Sequence, residues 1–165
     1  MLERKIIIEE LPTEGNDSNE RRIFSAKGET AQILNRTDEA FKNLVYWELD
    51  STRTGQERGH HYHEKKTERF YVLTGKLELS VKELESSSSK KLIVRAGNRL
   101  TIAPGVVHAF RSLMYAQILE YSPDPYDPTD TYPYKGIVVN MCGNSLFQQR
   151  TFLLNIYILL IANFK

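Results

Sequence analysis

From Asn43 onward the chain reads as short β-type runs of apolar residues separated by turn residues, and residues 76–84 alternate apolar and polar with period two, as a half-buried strand should. The runs cover residues 44–49 (LVYWEL), 69–73 (RFYVL), 76–84 (KLELSVKEL), 91–95 (KLIVR), 99–103 (RLTIA), 106–110 (VVHAF) and 115–121 (YAQILEY). Thr74-Gly75 predicts a tight turn between the second and third runs. The four serines between Glu85 and Lys90 predict a flexible hairpin connection. At least seven short strands at this spacing, with little helical period, define an all-β sandwich or barrel. The first forty residues are polar and irregular, with residues 14–20 (EGNDSNE) reading as a loop. Residues 122–136 (SPDPYDPTDTYPYKG) hold four prolines, and proline cannot donate to a central ladder. The expected organisation is therefore an N-terminal arm over 1–39, a barrel over 40–122, and a C-terminal arm with an apolar tail over 123–165.

Bulk properties narrow the function classes. A chain of 165 residues has room for one domain with a real core. A net charge of +1 with scattered Lys and Arg gives no electrostatic case for nucleic acid, and the Lys65-Lys66 and Lys90-Lys91 runs read as solvated surface. The single cysteine, Cys142, excludes an internal disulfide framework and fits a reducing compartment. Ile6-Ile7-Ile8 is too short for a signal-peptide core. The apolar stretch Phe152 to Phe164 would span roughly 20 Å as a helix against a bilayer core of about 30 Å. The expectation is a cytoplasmic protein that does not cross a membrane. Its tail is expected either to cover apolar surface, on this chain or a second subunit, or to be foreign to the domain.

The chemistry gathers on three of the four histidines. Alternate side chains of a strand share a face, so His61 and His63 project together while Tyr62 points opposite. His60 breaks that parity and is expected to face outward. With Glu68 nearby and His108 arriving from elsewhere, these residues make a coherent ligand set for one divalent metal. Neutral imidazoles with a carboxylate suit Zn, Mn, Fe, Ni or Co, and with no thiolate the set does not choose among them. Phe70 and Val72 share the parity of Glu68, and Phe110 that of His108, so they should form an apolar wall beside the metal. Tyr46, Arg99, Gln117 and Glu120 are polar residues on neighbouring strands that could hold a substrate or face solvent.

Two spaced motifs emerge. The first runs from Gly55 across five residues to His61-Tyr62-His63, across four to Glu68, and across six to Gly75. The second runs from Gly97 across seven residues to Gly105 and across two to His108. Together they resemble the cupin superfamily. Two departures, Pro104 directly before Gly105 and Ser112 in place of an asparagine, touch no ligand position. The resemblance implies a double-stranded β-helix, or jelly-roll barrel, with His61, His63, Glu68 and His108 as metal ligands. A narrower likeness in residues 59–79, 104–110 and 126–132 is similar to the C-terminal cupin domain of capsular-polysaccharide enzymes that act on UDP-linked deoxyamino sugars. It implies an epimerase or isomerase acting on a nucleotide-linked or phosphorylated sugar. An Fe(II)-dependent dioxygenase and a non-enzymatic small-molecule receptacle remain the alternatives, and no general base is identifiable. Pairing through edge strands leads us to expect a homodimer.

Overall fold

Two long antiparallel strands, β6 (Glu68–Glu83) and β9 (Val106–Ser122), pair along most of their length in this computed structural model, from Arg69↔Tyr121 to Glu83↔Val106. The structure describes residues 2–13, 20–35, 40–50, 52 and 57–137. Around the central pair lie β4 (Asn43–Leu49) and β5 (Glu57–Tyr62) against β9, and β7 (Ser89–Arg95) and β8 (Asn98–Ile102) against β6. The edges are closed by β1 (Ile6–Glu10) on β8 and the short β10 (Tyr132–Pro133) on β5. A separate hairpin pairs β2 (Arg21–Ser25) with β3 (Gly28–Gln32). All pairings are antiparallel, and the architecture is the cupin jelly roll that the motifs imply.

The apolar positions of the central strands converge on the lumen. Trp47 and Leu49 of β4, Phe70, Val72, Leu77, Leu79 and Val81 of β6, Leu100 and Ile102 of β8, and Phe110, Ala116 and Ile118 of β9 form one buried cluster. Each such side chain contributes about 1.5–3 kcal/mol relative to exposure, so the barrel rests on this lining. No helix among the described residues is long and apolar enough to cross a membrane.

Three expectations are corrected. Thr74-Gly75 is not a tight turn: β6 runs through it, with the register shifting between Val72 and Leu77. Gly75 has φ 86, and a Cβ there would lie 2.0 Å from the Tyr115 carbonyl oxygen and 2.6 Å from the Ala116 Cα. A glycine in a strand signals a bulge or close backbone approach as readily as a turn. Likewise the 106–110 and 115–121 runs are one strand, continuous through Arg111 to Met114. Finally, the described residues among the first forty form three strands. The Ile6-Ile7-Ile8 run pairs with Ile102, Thr101 and Leu100, and the hairpin turns over Ala26-Lys27 into Gly28, whose φ is 107. Both segments are only a few residues long and lack an alternating pattern, and the first forms because a sheet edge is there to receive it. Gly55, Cys142 and the 152–164 tail lie outside the described residues.

These two glycines separate steric from conformational cost. Gly28→Ala meets no atom within 4 Å, so it should lose only the positive-φ penalty, about 1 kcal/mol. Gly75→Ala adds a backbone collision and should lose about 3 kcal/mol or more. Urea unfolding of the two variants checks the order.

Candidate active site in the barrel lumen

The histidines owe their placement to an irregularity in β5. That strand pairs with β9 as far as Gly59↔Ala109, the register then shifts, and His61 pairs with His108. The shift is made by Gly59 at φ 100 and His60 at φ 58; a Cβ on Gly59 would sit 2.6 Å from the His108 carbonyl oxygen. An extra residue in a strand reverses parity on one side of it. Arg58 thereby holds its guanidinium 5.3 Å from the centre of the Trp47 ring, and Trp47 belongs to the lumenal core. His60 takes no part in the cluster and bonds Glu57 at 2.7 Å.

One carboxylate organises the centre. Glu68 Oε1 lies 3.1 Å from His63 Nε2, and Glu68 Oε2 lies 3.0 Å from His108 Nε2. All three residues are buried, whereas His61 is partly exposed. His61 packs edge-on to both other rings, at 4.9 Å from His63 and 4.7 Å from His108 between centroids. The remaining ring nitrogens of the buried pair face backbone: His63 Nδ1–H donates to the Asp130 carbonyl, and His108 Nδ1–H to the Val106 carbonyl at 3.1 Å. With the Nδ1 protons committed, each Nε2 turns toward Glu68 as the atom that gains or loses a proton or binds a cation.

The charges follow from this packing. Burial pushes the Glu68 carboxyl up, but His108, His63 and Lys66 together hold it well below the usual carboxylate range. Burial pulls the His63 imidazole down, and the Glu68 carboxylate outweighs it, leaving His63 above its ordinary value. His61, with burial and the His108 charge against it, falls to about 4 and is neutral near pH 7.

Two charged residues complete the lumen. Lys66 Nζ bonds Glu68 Oε1 and Glu120 Oε1, each at 2.9 Å, and Glu120 Oε2 accepts from Trp47 Nε1–H at 3.2 Å. Burial lowers the Lys66 ammonium, but its two carboxylates more than compensate and raise it above the ordinary lysine value. Lys66 was expected on the solvated surface; instead it turns inward, because the loop after His63 curls back and β6 delivers Glu68 just beneath it. A sequence signal existed in its two-residue spacing from Glu68.

The structure brings His61, His63, Glu68 and His108 together, with Phe70 and Phe110 as buried walls and Glu120 alongside. Three of the expected substrate residues it does not bring there. Tyr46 and Gln117 lie on the outer face, bonded to each other at 2.9 Å, with Tyr46 also on Glu48 at 3.1 Å. Their neighbours Trp47, Ala116 and Ile118 take the lumenal positions. Arg99 is outward as well, between lumenal Leu100 and buried Asn98, and binds Glu9 at 2.7 Å, Glu20 at 2.8 Å and the Ile33 carbonyl at 3.0 Å. Its role is to fasten the N-terminal segments to the barrel.

The donor set fits a divalent cation. Ligand atoms of His61, His63 and Glu68 lie within 4.8 Å of one another. His63 Nε2 and Glu68 Oε2 are buried without a well-directed hydrogen-bond partner. Imidazoles whose Nδ1–H is tied to a backbone carbonyl have the outer support that metal-binding histidines use.

A barrel of this topology with a buried His–Glu–His centre belongs to the cupin class. Residues 26–129 match the model of the polysaccharide biosynthesis C-terminal domain family, and the chain belongs to that family. No curated protein sequence matches it. Among solved structures it is similar to the sugar 3,4-ketoisomerase QdtA of Thermoanaerobacterium thermosaccharolyticum, crystallised with TDP (19% identity, 82% of this chain and 91% of that one, TM-score 0.65). It is also similar to a TDP-quinovose 3,4-ketoisomerase of Campylobacter jejuni (18% identity, 78% and 92%, TM-score 0.61). A third similar structure is a dTDP-6-deoxy-D-glucose-3,5-epimerase of Legionella pneumophila (15%, 77% and 77%, TM-score 0.58). At these identities the likeness establishes the fold.

Lys66→Met removes the ammonium between Glu68 and Glu120 and should cost about 3 kcal/mol at neutral pH. Adding Glu120→Gln should recover part of that loss. Because the folded pKa of Lys66 is raised, its contribution is complete below its unfolded pKa of about 10.4 and disappears as pH rises through the folded value. Chemical denaturation of wild type and Lys66→Met should therefore converge only in strong alkali.

Proposed function

We propose that this chain is a sugar-nucleotide isomerase or epimerase that moves a proton beside a keto group. The observation that carries this reading is a single buried carboxylate bridging the Nε2 atoms of two imidazoles inside an apolar barrel, with a neutral third imidazole on the accessible side. In the reaction, the carbon–hydrogen bond next to the carbonyl breaks and its proton passes to a neutral imidazole Nε2. The bonding pair moves toward the carbonyl, whose oxygen takes a proton from a charged imidazole to give an enediol. Returning a proton to the former carbonyl carbon, while the hydroxyl on its neighbour gives its proton to an imidazole, shifts the keto group; returning it to the other face of the original carbon, while the former carbonyl oxygen gives up its proton, inverts that centre. Glu68 stays ionised and balances the imidazolium in both directions. His61 donates to or accepts from a sugar oxygen. The exposed Arg58 guanidinium, stacked on Trp47, is suited to the negatively charged nucleotide portion. Family membership and the ketoisomerase and epimerase activities of similar barrels support this class of substrate.

A second reading draws on the same donors. His61, His63, Glu68 and His108 would hold a divalent cation, which supplies Lewis-acid polarisation of the substrate carbonyl. The buried His63 Nε2 and Glu68 Oε2, close to their neighbours but without a well-directed hydrogen bond, favour it.

The deciding experiment follows solvent deuterium into TDP- and UDP-linked 4-keto-6-deoxyglucose by NMR. Wild type should exchange the proton beside the keto group, and His63→Asn and His108→Asn should slow exchange by about a hundredfold or more. Unchanged exchange in both variants, or none in wild type, would sink the proton-transfer reading. Elemental analysis of wild type and His61→Ala tests the second reading, whose expected result is one divalent ion per chain that the variant loses.

A further inference from the structure

We infer that Asp130, beyond the last long strand of the barrel, is the positioning residue that aims the His63 imidazole at Glu68. The inference rests on the reading of His63 as a proton carrier and assigns the element that makes it one. Asp130 ends the 3-10 turn Pro128–Asp130 and is 4% exposed. Its carboxylate accepts three successive backbone N–H groups: Glu64 at 2.9 Å, Lys65 at 3.2 Å and Lys66 at 2.9 Å. Such a run of N–H groups forms an anion-binding nest. The carbonyl of the same residue accepts the His63 Nδ1–H. One residue therefore grips both the His63 ring and the loop that follows it. Its carboxylate holds residues 64–66 in the curl from which Lys66 enters the lumen, and its carbonyl sets which His63 nitrogen keeps a permanent proton. Burial pushes the Asp130 carboxyl up, yet the three N–H groups bring it below its ordinary value.

The turn that presents Asp130 is itself braced. The Asp127 carboxylate accepts from Thr129 N–H at 2.8 Å and Thr129 Oγ1 at 2.6 Å, and Asp130 N–H donates to the Asp127 carbonyl at 3.2 Å. Pro128 supplies a fixed φ at the first position of the turn. Just beyond, Tyr132 stacks on Tyr62 at 5.1 Å and pairs with it across β10 and β5. This places the 126–132 stretch, noted in the sequence only as a likeness, directly behind a site histidine. His108 gets its Nδ1 contact from Val106, two residues away on its own strand, and so does not depend on this device.

The test is ring 1H–15N NMR of the full chain with Asp130→Ala and Asp130→Asn, alongside turnover of the keto-sugar nucleotide. Wild type should show slowly exchanging Nδ1–H signals from both His63 and His108. In Asp130→Ala the His63 signal should vanish into solvent exchange while that of His108 stays, and kcat should fall about 10–100-fold with KM little changed. Asp130→Asn keeps part of the nest and should fold even where the alanine variant does not. Its His63 proton should exchange about tenfold faster than in wild type, in line with the weakening expected when an outer contact is lost. A protected His63 Nδ1–H in both variants would overturn the inference whatever the activity. A wild type without turnover, together with loss of that signal in the variants, would overturn the proposed function and leave this inference standing.

Discussion

Everything in this barrel depends on the curl of the β6–β9 ladder. Glu68 begins β6 and His108 lies near the start of β9, so the two stand close to opposite ends of one antiparallel pairing. In a flat ladder they would be roughly 40 Å apart at about 3.3 Å per residue. Their side chains are instead 3.0 Å apart. The ladder achieves this by bending through the successive register shifts around Gly75, where the two backbones approach too closely for any Cβ. The site is thus a consequence of the bend, and the lumenal side chains of Trp47, Phe70 and Phe110 fill the space the bend encloses.

That enclosure sets the electrostatics. An ionised carboxylate inside an apolar barrel is costly unless it is surrounded by donors. Glu68 is surrounded: two imidazoles face its oxygens and the Lys66 ammonium bonds one of them. Lys66 is in turn balanced by Glu120, so the lumen holds alternating charge rather than a lone buried ion. The neutral, more accessible His61 stands apart from this exchange. A polar network of this kind performs chemistry only if its geometry is held. Two anchors hold it: the Asp130 turn behind His63, and the bulge at Gly59 and His60 within β5.

Much of this was legible in the chain. Clear alternation in β8 and the second half of β6, with short apolar runs bounded by turn residues elsewhere, exposes the all-β class, because strand-length runs survive whatever the sheet topology. The spacing of His61, His63, Glu68 and His108 marks a common site, since those residue types share one chemistry. The same parity argument failed to choose among polar residues: Tyr46, Arg99 and Gln117 are as polar as Glu120, and only the strand faces, fixed by closure of the barrel, separate them. Lys66 was missed because a charged pair in a loop reads as surface until the loop is seen to fold inward.

The local pattern by itself determined strand identity, the residues on each face relative to their neighbours, and the candidate ligands, all of which depend on periods of a few residues. Tertiary structure alone decided which face became the lumen and that 74–75 is a bend rather than a turn. It also decided that an N-terminal segment adds a strand to the sheet edge, that Lys66 meets Glu68 and Glu120, and that Asp130 meets His63. Each of these outcomes is a contact between segments distant in the chain, and the energy of such a contact does not exist until the barrel closes.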